Sequence, residues 1–306
     1  MELLLLLSSS LAAIVLAVAC FLVWKNKKKK DDDGGGDGGG NGGPPGPATA
    51  LQAGSKIQKG GPFNIIGFDN PENITAADGM YQFNYVVGKF GSLSGGSLWA
   101  LPPGLAGSTA ATLSYEVFIP PSFEWSDKVI EMPGGKFPGF CVGIQERDCA
   151  TGGGWQEKKG SFRVMWRENG KAIGYWYAAI KGADQSGAFL KDQGAGVQAV
   201  AEGTGSAGVK LWHMKGGGLQ FVKNAWNTVK VGIDLGTAGR NNGVMSLTVN
   251  GVNRKVTDAK WRDSPDVKIA NVYFTSFAGG GSAGWAFKTP TYARFRKIVC
   301  VPGKVV

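Results

Sequence analysis

The chain has 306 residues, 43% hydrophobic and 11% aromatic, enough to bury a sizeable core, and 33 basic against 23 acidic residues give a formal charge of +10. Fifty glycines, roughly double the usual share, point to many turns rather than long helices. His213 is the single histidine, which excludes a His-rich zinc site and a two-histidine iron centre and leaves a Ser-His-Asp hydrolase only one imidazole.

The first element is an uncharged run of 22 residues, Leu3 to Trp24, long enough to span a bilayer as a helix, with Trp24 at an interface position. A secretory signal carries its positive charge ahead of the apolar run, whereas here Met1-Glu2 comes first and Lys25 and Lys27 to Lys30 follow. Basic residues stay on the cytoplasmic side. Residues 1–24 are therefore expected to form a single-pass anchor, meeting lipid through residues 3–24, with the C-terminal bulk on the cytosolic side. Residues 25–60 form a tether. Its stretch DDDGGGDGGGNGGPPGP has nothing to bury and cannot offset its own ordering entropy. Residues 61–306 form the remaining domain, with 26 basic and 18 acidic groups, a net +8 that suits a polyanion. No nucleic-acid motif accompanies that charge, so nucleic acid is not the expected partner.

Within the domain, short alternating segments are separated by Gly, Asn and Pro. Thr112 to Ile119 alternates and stops at Pro120-Pro121. Gly160 to Arg167 and Lys171 to Ala179 flank Glu168-Asn169-Gly170, the strongest hairpin signal in the chain. Further strands are predicted over Trp226–Leu235, Val244–Val249, Val252–Val256, Val272–Phe277 and Tyr292–Val299, with Asn250-Gly251 closing a tight turn. No amphipathic helix of about 12 residues is visible. The pattern implies an all-β fold, a two-sheet jelly-roll sandwich, behind the N-terminal helix and Gly-rich tether. Cys141, Cys149 and Cys300 show no CxxC spacing. They are read as reduced, packed thiols, a Cys141–Cys149 bridge being the alternative.

The hairpin's register decides which side chains share a face. With Glu168-Asn169-Gly170 as a three-residue loop and Gly170 left-handed, Arg167 opposes Lys171, Arg163 opposes Tyr175 and Ser161 opposes Tyr177. Phe162, Val164, Trp166 and Trp176 then share the opposite, core-facing side. A two-residue loop would set Arg163 against Trp176 and mix polar with apolar, so the first register is adopted. Upstream, Met132 to Phe140 is a glycine- and proline-framed segment read as a loop, with Lys136 placed over the hairpin face.

Leu113–Phe118, Gly134–Gly139, Ser161–Arg167, Tyr175–Tyr177 and Tyr273–Phe277 together resemble, in order, the polysaccharide lyases of family 14, which include algal-virus cell-wall lyases and alginate lyases; the family 20 glucuronan lyases look related. The likeness covers roughly residues 62–300; the glycine-rich 182–218 stretch lies outside it. The resemblance implies a β-jelly roll that cleaves uronic-acid polysaccharides by β-elimination, with no metal and no cofactor. It implies Lys136, Ser161, Arg163, Tyr175 and Tyr177 as catalytic residues. The types suit that chemistry. Arg163 and Lys136 neutralise the uronate carboxylate, a tyrosine whose pKa the cations lower takes the C5 proton, and a second hydroxyl returns one to the leaving O4. The competing expectation is a catalytically silent relative that binds glycan or serves as a structural protein of a virus particle, associated with capsid proteins, since an anchor suits retention better than diffusion.

Overall fold

The computed structural model describes residues 63–77, 79–126, 129–152, 156–180, 218–303 and 305, and the backbone of two strands at 197–200 and 211–214. The expected anchor (1–24) and tether (25–60) lie outside the described residues. No helix among the described residues is long and apolar enough to cross a membrane.

The fold is all-β. Among the described residues fifteen strands run in chain order as β1 Ile65–Asp69, β2 Ile74–Ala77, β3 Met80–Tyr85, β4 Gly96–Ala100, β5 Ala110–Ile119, β6 Gly134–Gly143, β7 Gly160–Arg167, β8 Ala172–Tyr177, β9 Val197–Val200, β10 Leu211–Met214, β11 Ala225–Asp234, β12 Gly243–Val249, β13 Val252–Ala259, β14 Lys268–Ala278 and β15 Thr291–Pro302. Helical structure among the described residues is limited to 3-10 turns of three or four residues. Two antiparallel sheets form a sandwich consistent with a jelly roll: β1-β4-β14-β6-β7-β8 and β13-β12-β11-β5-β15-β3-β2, with β9 and β10 paired separately.

Alternation builds the core. Leu113, Tyr115 and Val117 of β5 and Val229, Val231 and Ile233 of β11 face inward from one sheet, meeting Phe137, Phe140, Phe162, Val164, Trp166, Trp176 and Phe274 from the other. Phe295 sits at the centre of an aromatic mesh, 5.2 Å from Phe274, 5.4 Å from Phe83 and 5.5 Å from Phe137, ring centre to ring centre. It is fully buried, so truncation to alanine costs about 3–5 kcal/mol. The Asn250-Gly251 turn is a two-residue loop joining Val249 to Val252, and both turn residues take positive φ, 49° and 83°.

Two expectations are corrected. Gly134–Phe140 is strand β6, paired on both edges with β14 and β7, rather than a loop. Its glycines serve close approach: a Cβ on Gly139 would come within 2.1 Å of the Phe162 carbonyl oxygen. Pro138 falls where the pairing with β7 shifts, the bulge position that spares it a ladder hydrogen bond. The second correction concerns sulfur. Cys141 and Cys149 are joined as a disulfide, and Cys300 alone among the described cysteines is free.

Candidate active site

The β7–β8 hairpin carries the predicted register. Ser161 opposes Tyr177, Arg163 opposes Tyr175 and Met165 opposes Ile173, while the Arg167 backbone N–H donates to Lys171 at 2.8 Å across the three-residue loop. Phe162, Val164, Trp166 and Trp176 enter the core. The intervening residues emerge on the outer face of the six-stranded sheet, where Ala150, Met165, Ile173, Tyr175 and Tyr177 form a second, smaller apolar cluster. Lys136 reaches this face from within β6, opposite Met165, instead of from a loop above it. Its Nζ donates to Met165 Sδ at 3.2 Å and lies 4.3 Å from the centre of the Tyr175 ring.

The five candidates therefore converge, with unequal roles. The Arg163 guanidinium lies 5.6 Å from the Tyr175 ring and 5.5 Å from that of Tyr273. Arg163 Nε is buried and has no hydrogen-bond partner among the described residues, so a donor is left for an acceptor. The Tyr175 and Tyr177 hydroxyls are hydrogen-bonded to each other. Ser161, fully buried, donates instead to the carbonyl of Ala150 at 2.8 Å. That bond ties down the segment that walls the site.

This wall, residues 144–150, is stapled from several sides. Cys149 is bonded to Cys141 of β6. Asp148 Oδ2 accepts the N–H groups of Ile144 (3.0 Å) and Gln145 (2.9 Å), and its Oδ1 pairs with Lys159 at 2.8 Å. Burial pushes the Asp148 carboxyl up, but the Lys159 bond and the two backbone N–H groups outweigh it and hold the pKa below the usual range. Asn271 of β14, directly across from Cys141, donates to the Glu146 carbonyl at 2.7 Å.

Electrostatics overturn one expectation. Burial, followed by the repulsion of Arg163 and Arg167, lowers the Lys136 pKa well below its ordinary value. A tyrosine with a lowered pKa was expected. Tyr175 instead is raised, chiefly by burial and then by Tyr177, with Arg163 and Arg167 pulling too weakly the other way. Burial thus makes the Lys136 amine easier to deprotonate and the Tyr175 phenol harder to deprotonate than in water. Among the described residues no three His, Cys, Asp or Glu side chains form a metal-holding group. Sequence reasoning missed Tyr273, Asn271 and Met165 as site residues. The signal for Tyr273 was present, since it alternates with core Phe274 in a motif already singled out.

Residues 75–298 match the family model described as Polysaccharide lyase 14. The chain belongs to that family. Among individual proteins it is 26% identical over 214 residues to Exolysin of Paramecium bursaria Chlorella virus 1; the match takes in 65% of this chain and 30% of the relative, so less than a third of the relative's length is spanned. The fold is shared with two solved structures. One is alginate lyase vAL-1 from Chlorella virus, with TM-score 0.58 and 22% identity, covering 79% of this chain and 94% of that one. The other is the marine PL-14 alginate lyase from Aplysia kurodai, with TM-score 0.62 and 20% identity, covering 83% and 100%.

Proposed function

We propose that the chain is a polysaccharide lyase that cleaves a uronic-acid polymer, alginate being the first candidate, by β-elimination. The observation that carries this reading is the buried Lys136 amine beside Arg163, among aromatic hydroxyls and with no carboxylate partner among the described residues. Arg163 takes the C6 carboxylate of the reacting uronate through its unpaired Nε–H, which makes the C5 proton more acidic. Lys136, whose pKa burial lowers, accepts that proton in its unprotonated form. The electron pair forms the C4–C5 double bond as the C4–O4 bond breaks, and the Tyr175–Tyr177 hydroxyl pair returns a proton to O4. Ser161 acts as a positioning residue through Ala150. Residues 3–24 hold the enzyme to a bilayer, with the tether giving the domain reach and its basic charge favouring an anionic polymer.

The test is incubation of the full chain with alginate, polymannuronate and glucuronan while ultraviolet absorbance of the unsaturated product is followed. The expected result is release of product from at least one polymer, lost in Lys136→Ala. A folded wild-type chain that releases none from any of them overturns the reading in favour of a silent glycan-binding relative, retained as a structural component.

A further inference from the structure

The outer sheet face continues beyond the groups assigned above. One row of mutually opposed residues crosses the sheet from edge to edge: Gly67, Trp99, Tyr273, Gly139, Arg163 and Tyr175. At its β1–β4 end the Trp99 and Tyr273 rings lie 4.2 Å apart, centre to centre, inclined by 31°. Trp99 is held in place, its Nε1 donating to Asp69 Oδ2 at 2.8 Å, and Tyr273 receives a hydrogen bond from Ser97 at 3.1 Å. Arg163 flanks this aromatic pair on one side. On the other, the exposed Arg147 lays its guanidinium 5.3 Å from the Trp99 ring centre.

Arg147 does not reach that position by chance of an exposed side chain. It belongs to the stapled wall, between Glu146, whose carbonyl Asn271 holds, and buried Asp148. Gly67 leaves the guanidinium room: a Cβ there would come within 3.2 Å of the Arg147 Cζ and push it outward by a few tenths of an ångström. A guanidinium held 5.3 Å from an indole ring centre keeps its fork positioned for a carboxylate at less entropic cost than a free arginine. Trp99, partly exposed and backed by the buried Tyr273 ring, presents apolar ring surface with its polar tip already satisfied, which suits the apolar face of a pyranose ring.

We propose that Arg147 and the Trp99–Tyr273 platform form a second uronate-binding subsite, so that the site grips one polymer at two carboxylates, the reacting one on Arg163 and a distal one on Arg147. This rests on the uronan-lyase reading and deepens it. Trp99 and Arg163 lie on strands three spacings apart, roughly 14 Å between backbones, so the two carboxylates belong to different sugar units, and a longer oligomer engages both arginines more readily than a short one.

The experiment uses the full chain carrying Lys136→Ala, which keeps ligands intact, titrated calorimetrically with an alginate trisaccharide and hexasaccharide. Adding Arg147→Ala is expected to weaken the hexasaccharide about 3- to 10-fold and the trisaccharide by less than about 2-fold. Arg147→Lys should recover only part of the loss, because charge returns without the fork. Trp99→Phe, which keeps a ring and so protects the fold, should also weaken the hexasaccharide selectively. In the otherwise wild-type enzyme, Arg147→Ala should raise KM for polymer more than it lowers kcat. Tight hexasaccharide binding that Arg147→Ala leaves untouched, or equal losses for both lengths, overturns the subsite and leaves the lyase reading standing. No binding of either oligosaccharide by the Lys136→Ala chain, with wild type inert on polymer, overturns the lyase reading itself and this proposal with it.

Discussion

Replacing Lys136 by methionine should make the protein more stable and catalytically dead. Lys136 is 7% exposed, its amine's one hydrogen bond among the described residues is to a thioether, and its charged neighbours there are Arg163 and Arg167. Methionine keeps the unbranched stem beside Met165 and the Tyr175 ring while removing the polar group. An incompletely satisfied buried polar group costs about 1–3 kcal/mol, which should return as stability. For a fold of this size that is a rise in Tm of roughly 2–10 °C. The gain has a defined pH dependence. The unfolded chain keeps the Lys136 proton until about pH 10.4, whereas the folded protein releases it well below that. Between those two values the unfolded state binds more protons, so wild-type stability rises with pH and the advantage of Lys136→Met shrinks. Thermal melts of both proteins at neutral and alkaline pH, alongside product absorbance, measure all of this. A Lys136→Met protein that melts below wild type, or a gap that widens with pH, would refute the picture of a desolvated, mostly neutral amine.

The other predictions follow from the same geometry. Tyr175→Phe and Tyr177→Phe each remove one hydroxyl of a bonded pair, and at least one should cut turnover by about 10²-fold or more, read from initial rates; unchanged rates in both would remove the tyrosines from the proton path. Arg163→Lys keeps charge but loses the fork, so kcat should fall more than substrate affinity; a loss confined to KM would demote Arg163 to ground-state binding. Joint replacement of Cys141 and Cys149 by serine should cost about 2–3 kcal/mol, the loop-closure value for a separation of eight residues, measured by urea unfolding. Alkylation of denatured, unreduced protein should leave those two sulfurs unlabelled. Performed on protein isolated from its natural source, that labelling also tests the expected cytosolic placement, because the cytosol keeps such thiols reduced.

What the sequence disclosed was local. The β7–β8 register was legible because Glu168-Asn169-Gly170 fixes the loop length and only one register keeps Phe162, Val164, Trp166 and Trp176 on a single face. β6 was read as a loop because glycine and proline usually mark turns. Its glycines instead admit the neighbouring backbone, a reason visible only once β7 and β14 flank it. Tyr273 stood in a quoted motif, yet its place beside Arg163 depends on β14 pairing with β6 more than a hundred residues away. The disulfide was left open because eight residues of separation close only if the chain doubles back, and Asp148 is what turns it. The sign of the Tyr175 shift was missed because neighbouring cations can be guessed from a register, whereas burial cannot.

The two-residue period of β7 and β8 ties catalysis to melting. Arg163 lies between Phe162 and Val164 on one strand, and Trp176 lies between Tyr175 and Tyr177 on the other, so each of these outward-facing candidates is covalently next to a core side chain. Such a site has no hinge of its own on these strands. It should keep its shape until the sandwich opens and then lose it all at once, so heat inactivation and loss of the tertiary signal should trace one curve. A site of this kind is tuned through its surroundings, the stapled wall and the β1–β4 edge, while β7 and β8 stay fixed.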